Sequence, residues 1–286
     1  MTPGLRCVAR CLVVALGVVL CAAQAQERVS VPSLELQHGT AVLLAGFWFP
    51  VDRSVERPAV VLLHGCGGAY DRHGGLTSRL RDYAALLNQE GWHVLVLDSL
   101  AARGLSELCT QRPSTRTVKM LNRRKDALGA LEWLAQQPGV DRERLVLLGW
   151  SNGGSTVLAA TNRRADEVKD APTPPRAAVA FYPGCEQELR RGYEAAAPLL
   201  MLLGDSDDWT PPQACRDLAK AAQGAPVRLV GYPGAVHGFD NEAPVRLRRD
   251  VPGGARPGQG VHVGGQAAAR DDSRDQLLAF LRAQLR

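Results

Sequence analysis

The chain has 286 residues, of which 45% are hydrophobic and 22% charged, with a formal net charge of +5 at pH 7. That length and apolar content suffice for one large, well-buried core. The mild positive charge is scattered along the chain rather than clustered, which gives no case for a nucleic-acid partner.

The first 25 residues read as a leader rather than as part of a folded domain. Arg6 and Arg10 make a positive start, "CLVVALGVVLCAA" is too short and too early for a spanning helix, and "AQA" ends at Ala25 with small residues at −1 and −3. This is the layout of a secretory signal peptide cleaved after Ala25, followed by a single domain over 26–286. Lipidation at Cys21 fits less well, because Leu20 stands where a small residue is wanted. An exported, periplasmic or secreted protein with no stable membrane insertion after cleavage is expected.

Two segments open the mature chain, "RVSVPSLEL" and "TAVLLAGFWFP", with "QHGT" as the turn of an antiparallel hairpin. Then "AVVLLHG" is a continuous apolar run, as expected of a strand buried on both faces. Helix and strand alternate from there: "LTSRLRDYAALLNQEG", "WHVLVLD", "VKMLNRRKDALGALEWLAQQ", "RLVLLGW" and "NGGSTVLAATNRR". The strands "RAAVAFYPG", "PLLMLLGD" and "VRLVGYPG" follow, with the helix "PPQACRDLAKAAQ" between the last two. Repeated β-α-β order implies an α/β class with a mostly parallel sheet and helices on both faces. The amphipathic "DSRDQLLAFLRAQL" closes the chain, while 100–117 and 241–266 show no sustained period and read as loops.

One junction carries chemistry. In "VLLGWSNGGSTVL" a buried strand runs straight into a serine flanked by glycines, and then into a helix. Gly149-Trp150-Ser151-Asn152-Gly153 matches a nucleophile elbow, which lifts the serine hydroxyl clear of the sheet at a helix N-terminus. A serine needs a base, and the base needs an orienting acid. Both follow in the order Ser, Asp, His: Asp207 in "DSDDWTPP" and His237 in "AVHGFD", each just past a strand C-terminus. Asp207 suits the turn better than Asp205 or Asp208, one of which is expected to cap the next helix. His73, His93 and His262 lack a comparable setting. The glycine-rich "HGCGG" after "AVVLL" leaves backbone N–H groups free, so the amides of Cys66 and Asn152 are candidates for an oxyanion hole, with His64 packing beneath the turn.

If Cys7, Cys11 and Cys21 leave with the leader, Cys66, Cys109, Cys185 and Cys215 remain. An even number suits disulfides in an oxidising compartment, and four cysteines allow three pairings. All four fall at the C-terminal edge of the sheet, which predicts Cys66–Cys109 and Cys185–Cys215, with small buried thiols as the alternative. Their spacings are too wide for a zinc ribbon, and no metal or cofactor is expected.

The chain resembles an α/β-hydrolase of the dienelactone hydrolase family, in its exported bacterial branch, from about Val29 to the C-terminus. The resemblance is carried by "VLLHGCGG", "VLVLDSLAARG", "LLGWSNGGS", "AFYPGC", "LLGDSDDWTPP" and "YPGAVHGFD". It implies an eight-stranded, mostly parallel sheet and a triad at Ser151, Asp207 and His237. One departure stands out: the enzymes that name the family use cysteine as nucleophile, where this chain has Ser151. The reading is a serine hydrolase of a small-molecule carboxylic ester or lactone. The alternatives are a peptidase or amidase of prolyl oligopeptidase-like type and a non-catalytic binding protein on the same fold. The pocket is expected to be lined by 69–77, 100–117, 183–195 and 241–266. Arg103 and Arg116 either meet a substrate carboxylate or, the commoner case for loop arginines, lie solvated.

Overall fold

The computed structural model describes residues 26–286; the leader expected over 1–25 lies outside the described residues. Strands β1 (Glu27–Gln37) and β2 (Thr40–Phe49) form the expected antiparallel hairpin. Its two-residue turn, His38-Gly39, has positive φ at both positions (50° and 81°), the conformation that matches the twist of the flanking strands.

Six further strands complete one sheet: β3 (Arg57–Leu63), β4 (His93–Asp98), β5 (Val140–Trp150), β6 (Ala177–Phe181), β7 (Leu199–Gly204) and β8 (Val227–Tyr232). The eight lie in the order β1-β2-β4-β3-β5-β6-β7-β8. From β4 to β8 all pairings are parallel, and β2 meets β4 antiparallel.

Successive residues of a strand face opposite sides, and both sides are covered here. On one face Val61, Leu63, Leu147 and Met201 pack with Leu128 and Leu131 of α2 (Met120–Leu134) and with Val157 of α3 (Asn152–Ala160). On the other, Val60, Leu62, Val146 and Leu148 pack with Leu80 and Leu87 of α1 (Ser78–Gln89) and with Leu277 of the C-terminal helix over Ala267–Gln284. Short helices at Asp166–Lys169 and Glu186–Arg191 and a longer one at Gln213–Ala221 fill the remaining crossovers.

Several elements differ from the sequence reading. The C-terminal helix begins at Ala267 rather than Asp272; its alanines favour helix by propensity, which an apolar period does not register. The helix at Glu186–Arg191 has no counterpart in that reading, being too short to show a period. Segment 241–266 is not wholly a loop, for Arg246–Arg248 and Val261–Val263 pair as a two-stranded antiparallel ladder.

Neither Asp205 nor Asp208 caps the helix at Gln213–Ala221, whose N-cap is Pro212 with no side-chain bond. Asp205 instead pairs with Arg216 at 2.5 Å, and Asp208 binds His262.

Candidate functional site

The site lies where the parallel strands end. β5 stops at Trp150, and Ser151 takes φ 53° and ψ −117°, a strained conformation for a residue with a side chain, before α3 begins at Asn152. Two glycines make the turn possible. A Cβ on Gly149 would stand 2.3 Å from the Gly153 carbonyl oxygen, and one on Gly153 would stand 2.0 Å from that of Leu63. The Ser151 N–H donates to the Phe181 carbonyl at 2.9 Å, which ties the elbow to the end of β6.

The loops after β7 and β8 bring two more side chains to this point. His237 Nε2 lies 2.9 Å from Ser151 Oγ, and His237 Nδ1 lies 2.7 Å from Asp207 Oδ2. The other Asp207 oxygen accepts the N–H groups of Trp209 and Thr210 at 2.8 and 2.9 Å, and the Thr210 hydroxyl donates to Oδ2 at 3.0 Å. So held, the carboxylate has little freedom to turn from the imidazole, whose Nδ1 carries the proton it accepts. The imidazole sits between the rings of Tyr182 (4.6 Å between centroids) and Trp209 (4.8 Å). His262 also gains a carboxylate partner, Asp208, but on the half-exposed surface and with no serine hydroxyl among its partners.

Cys66 lies in the turn after β3. Neither its amide nor that of Asn152 has a backbone acceptor among the described residues, and both residues line a recess that also contains Ser151. The turn is fixed from the far side: the Leu108 N–H donates to the Cys66 carbonyl at 2.7 Å, and a Cys66–Cys109 disulfide (Cα–Cα 4.9 Å) joins it to segment 100–117. A second disulfide, Cys185–Cys215 (Cα–Cα 5.1 Å), is buried between the helices at 186–191 and 213–221.

His64 is buried beneath the turn, donating from Nδ1 to the Gly65 carbonyl (2.7 Å) and accepting the Ser99 N–H at Nε2 (3.2 Å). Burial, with the nearby charge of Arg123, pulls its pKa down to about 3. It is therefore neutral, and Asp98 at 3.6 Å is a neighbour rather than an ion-pair partner.

Two recesses flank Ser151. One, of about 210 Å³, is walled by Gly65, Cys66, Trp150, Tyr182, Trp209 and Val263, with Arg79, Arg246 and Arg248 at its margin. The other, of about 250 Å³, is walled by Pro113, Arg116, Ser155, Gly184, Glu186 and Gly254. Segment 69–77 lines neither, and 183–195 contributes only Gly184 and Glu186, which corrects the expected lining.

Arg103 is neither solvated nor facing the site. It is buried, bonded to both oxygens of Asp126 (2.8 and 2.9 Å) and to Glu35, because α2 and β1 bring these acids beneath segment 100–117. Arg116 does reach the second recess, where its buried Nε–H has no hydrogen-bonded acceptor among the described residues. Arg79, in the first turn of α1, was missed by sequence reasoning; buried Asp240 receives its Nε–H at 3.1 Å and keeps it charged. Only the juxtaposition of "TSRL" with "HGFD" reveals this pair, and no local signal announces it. Among the described residues no cluster of three or more His, Cys, Asp or Glu is placed to hold a metal ion.

An eight-stranded, mostly parallel sheet with a serine elbow at one strand end and an imidazole and a carboxylate on two later ones defines an α/β-hydrolase. The dienelactone hydrolase family model matches residues 45–285, and the chain belongs to that family, a hydrolase of the carboxylic-ester type. It is 27% identical over 180 residues to a probable 2-oxo-3-(5-oxofuran-2-ylidene)propanoate lactonase of Bradyrhizobium sp., covering 58% of this chain and 69% of that protein. The fold is similar to a putative dienelactone hydrolase from Klebsiella pneumoniae (TM-score 0.64, 18% identity, 90% of this chain and 98% of that one). It is similar too to esterase 2 of Thermogutta terrifontis phosphorylated by paraoxon (TM-score 0.60, 17% identity, 90% and 92% of the two chains).

Proposed function

We propose that this chain is an exported serine hydrolase that cleaves a small carboxylic ester or lactone through an acyl-enzyme on Ser151. The unbroken hydrogen-bonded line from Ser151 through His237 to Asp207 carries this reading.

Ser151 Oγ attacks the carbonyl carbon as His237 Nε2 takes its proton, and Asp207 stabilises the imidazolium that results. The amides of Cys66 and Asn152 receive the negative charge that develops on the carbonyl oxygen. His237 then returns the proton to the leaving alkoxide. In the second half, water attacks the acyl group with His237 again as base, restoring Ser151.

Arg246 lines the first recess without a carboxylate partner among the described residues, whereas Arg79 and Arg248 there are paired with Asp240 and Asp250; this one free guanidinium favours a substrate that carries a carboxylate. The lactone named for the Bradyrhizobium relative is itself a propanoate. Export is supported by the leader-like first 25 residues and by the two disulfides, which suit an oxidising compartment.

A fluorophosphonate probe tests the nucleophile, and a panel of activated esters, carboxylate-bearing lactones and peptide anilides tests the substrate class. Wild type is expected to label at Ser151 and to turn over esters and lactones well ahead of anilides. Ser151→Ala is expected to lose both labelling and nearly all hydrolysis. Undiminished hydrolysis by Ser151→Ala overturns the assignment of the nucleophile, and faster turnover of anilides than of esters overturns the substrate class.

A further inference from the structure

We infer that Arg123 is a positioning residue of the oxyanion hole, its single buried guanidinium holding the Cys66 turn and the Asn152 elbow at a fixed separation. The inference rests on the function proposed above.

Arg123 projects from α2 and is 1% exposed. One terminal nitrogen donates to Asn152 Oδ1 at 2.5 Å and the other to the His64 carbonyl at 2.8 Å. These acceptors belong to the two segments that carry the oxyanion amides: His64 opens the turn that contains Cys66, and Asn152 is itself the second donor. The guanidinium is a rigid planar fork, so its two bonds set a distance that a flexible ammonium would not.

Three observations set it apart from an ordinary buried ion pair. No carboxylate lies within ion-pair distance of Arg123 among the described residues, since Asp126 is bonded to Arg103. Its acceptors are a neutral amide and a carbonyl, and Asp126 and Asp98 act on its charge only from beyond hydrogen-bond reach. Arg123 faces a separate cavity behind the elbow, lined also by Asn152 but not by Ser151, and so acts through the hole rather than on the substrate. Burial lowers its pKa to about 10, which leaves it a cation at neutral pH.

The test is steady-state kinetics on an activated ester, together with the affinity of a trifluoromethyl ketone that forms a tetrahedral adduct with the serine. Arg123→Gln is expected to lower kcat about 100-fold with KM nearly unchanged, the scale of a misplaced oxyanion donor. Ketone affinity should fall in parallel. Arg123→Lys, which keeps the charge but not the fork, is expected to recover only part of the loss. Asn152→Ala keeps the amide and removes only the side-chain acceptor; it should slow kcat by about tenfold, and the loss should not add to that of Arg123→Lys. Arg124→Gln, beside Arg123 on α2, breaks the 2.9 Å ion pair to Glu167 of the helix at Asp166–Lys169 and should lose stability without this loss in kcat.

A folded Arg123→Gln with wild-type kcat, or with unchanged ketone affinity, overturns the inference. Should Arg123→Gln fail to fold, the Lys and Asn152→Ala variants decide it, and additive losses count against it. Ser151→Ala separates the two readings: if it stays active, the proposed function fails; if it is dead while Arg123→Gln turns over normally, only the role of Arg123 fails.

Discussion

Gly153 and Leu63 meet with no space for a side chain, the position of a Cβ on Gly153 lying 2.0 Å from the Leu63 carbonyl oxygen. This contact seats the N-terminus of α3 against the end of β3, so a close backbone approach joins the elbow to the strand that leads into the Cys66 turn, on top of the bonds from Arg123. Gly153→Ala must push the two apart. It is expected to lower stability by about 1–3 kcal/mol, as overpacking does, and to reduce ester turnover by about 100-fold, as an ångström of misplacement does. Paired measurements of Tm and kcat check both; a variant with wild-type kcat would show that the approach is not needed for the site.

The neighbouring acids Asp207 and Asp208 should behave differently. Asp207→Asn keeps the shape of the turn but removes the charge facing the imidazolium, and kcat is expected to drop by about 10⁴. Asp208→Asn weakens only the half-exposed contact with His262, a pair of the kind worth about 1 kcal/mol or less. Kinetics and thermal melts of the two variants side by side check the assignment. A crippled Asp208→Asn with an active Asp207→Asn reverses it.

His64 gives the fold an acid sensitivity. Its folded pKa of about 3 lies below its ordinary 6.5, so the unfolded chain binds the proton first. The stability that depends on a neutral His64 is complete above pH 6.5 and is lost as pH falls toward 3, at up to about 1.4 kcal/mol per pH unit. Denaturant unfolding between pH 7 and pH 4 should show a shallower decline for His64→Gln than for wild type. Parallel declines would mean that other groups carry the acid sensitivity.

The two disulfides should separate in function. Cys66–Cys109 lines the first recess, so Cys66→Ser with Cys109→Ser is expected to lower kcat as well as stability. Cys185–Cys215 lies in the apolar core, and its removal should cost about 3–4 kcal/mol on the chain-entropy model while sparing kcat. Unfolding curves and kinetics of the two double variants check the division; equal losses in kcat would contradict it.

Much of this was legible in the chain. The apolar runs "AVVLL" and "VLLGW" could only be central strands, and the glycines around Ser151 mark a turn that few other residues permit. Asp207 and His237 follow because strand ends locate them. Arg79, Tyr182 and Trp209 were not legible, since their place beside the serine depends on how separate elements pack rather than on any local period. The expected cap at Asp205 or Asp208 was wrong for a related reason: each acid found a better partner, Arg216 or His262, one of them 54 positions away.

The short ladder of Arg246–Arg248 with Val261–Val263 is fastened at both ends to the loops that bear the imidazole and the acid. Val263 bridges to His237, the Gly264 N–H donates to the His237 carbonyl at 3.0 Å, and the Ala255 N–H donates to the Asp208 carbonyl at 2.7 Å. Between these anchors residues 256–259 are exposed, and Gly253 and Gly254 form part of the rim of the second recess. The segment is thus an exchangeable cassette: its tip can be lengthened, shortened or recomposed while its footing stays in place. The tip itself lines a separate pocket beside Asp208 and His262, so a change there reaches the second recess only through Gly253 and Gly254.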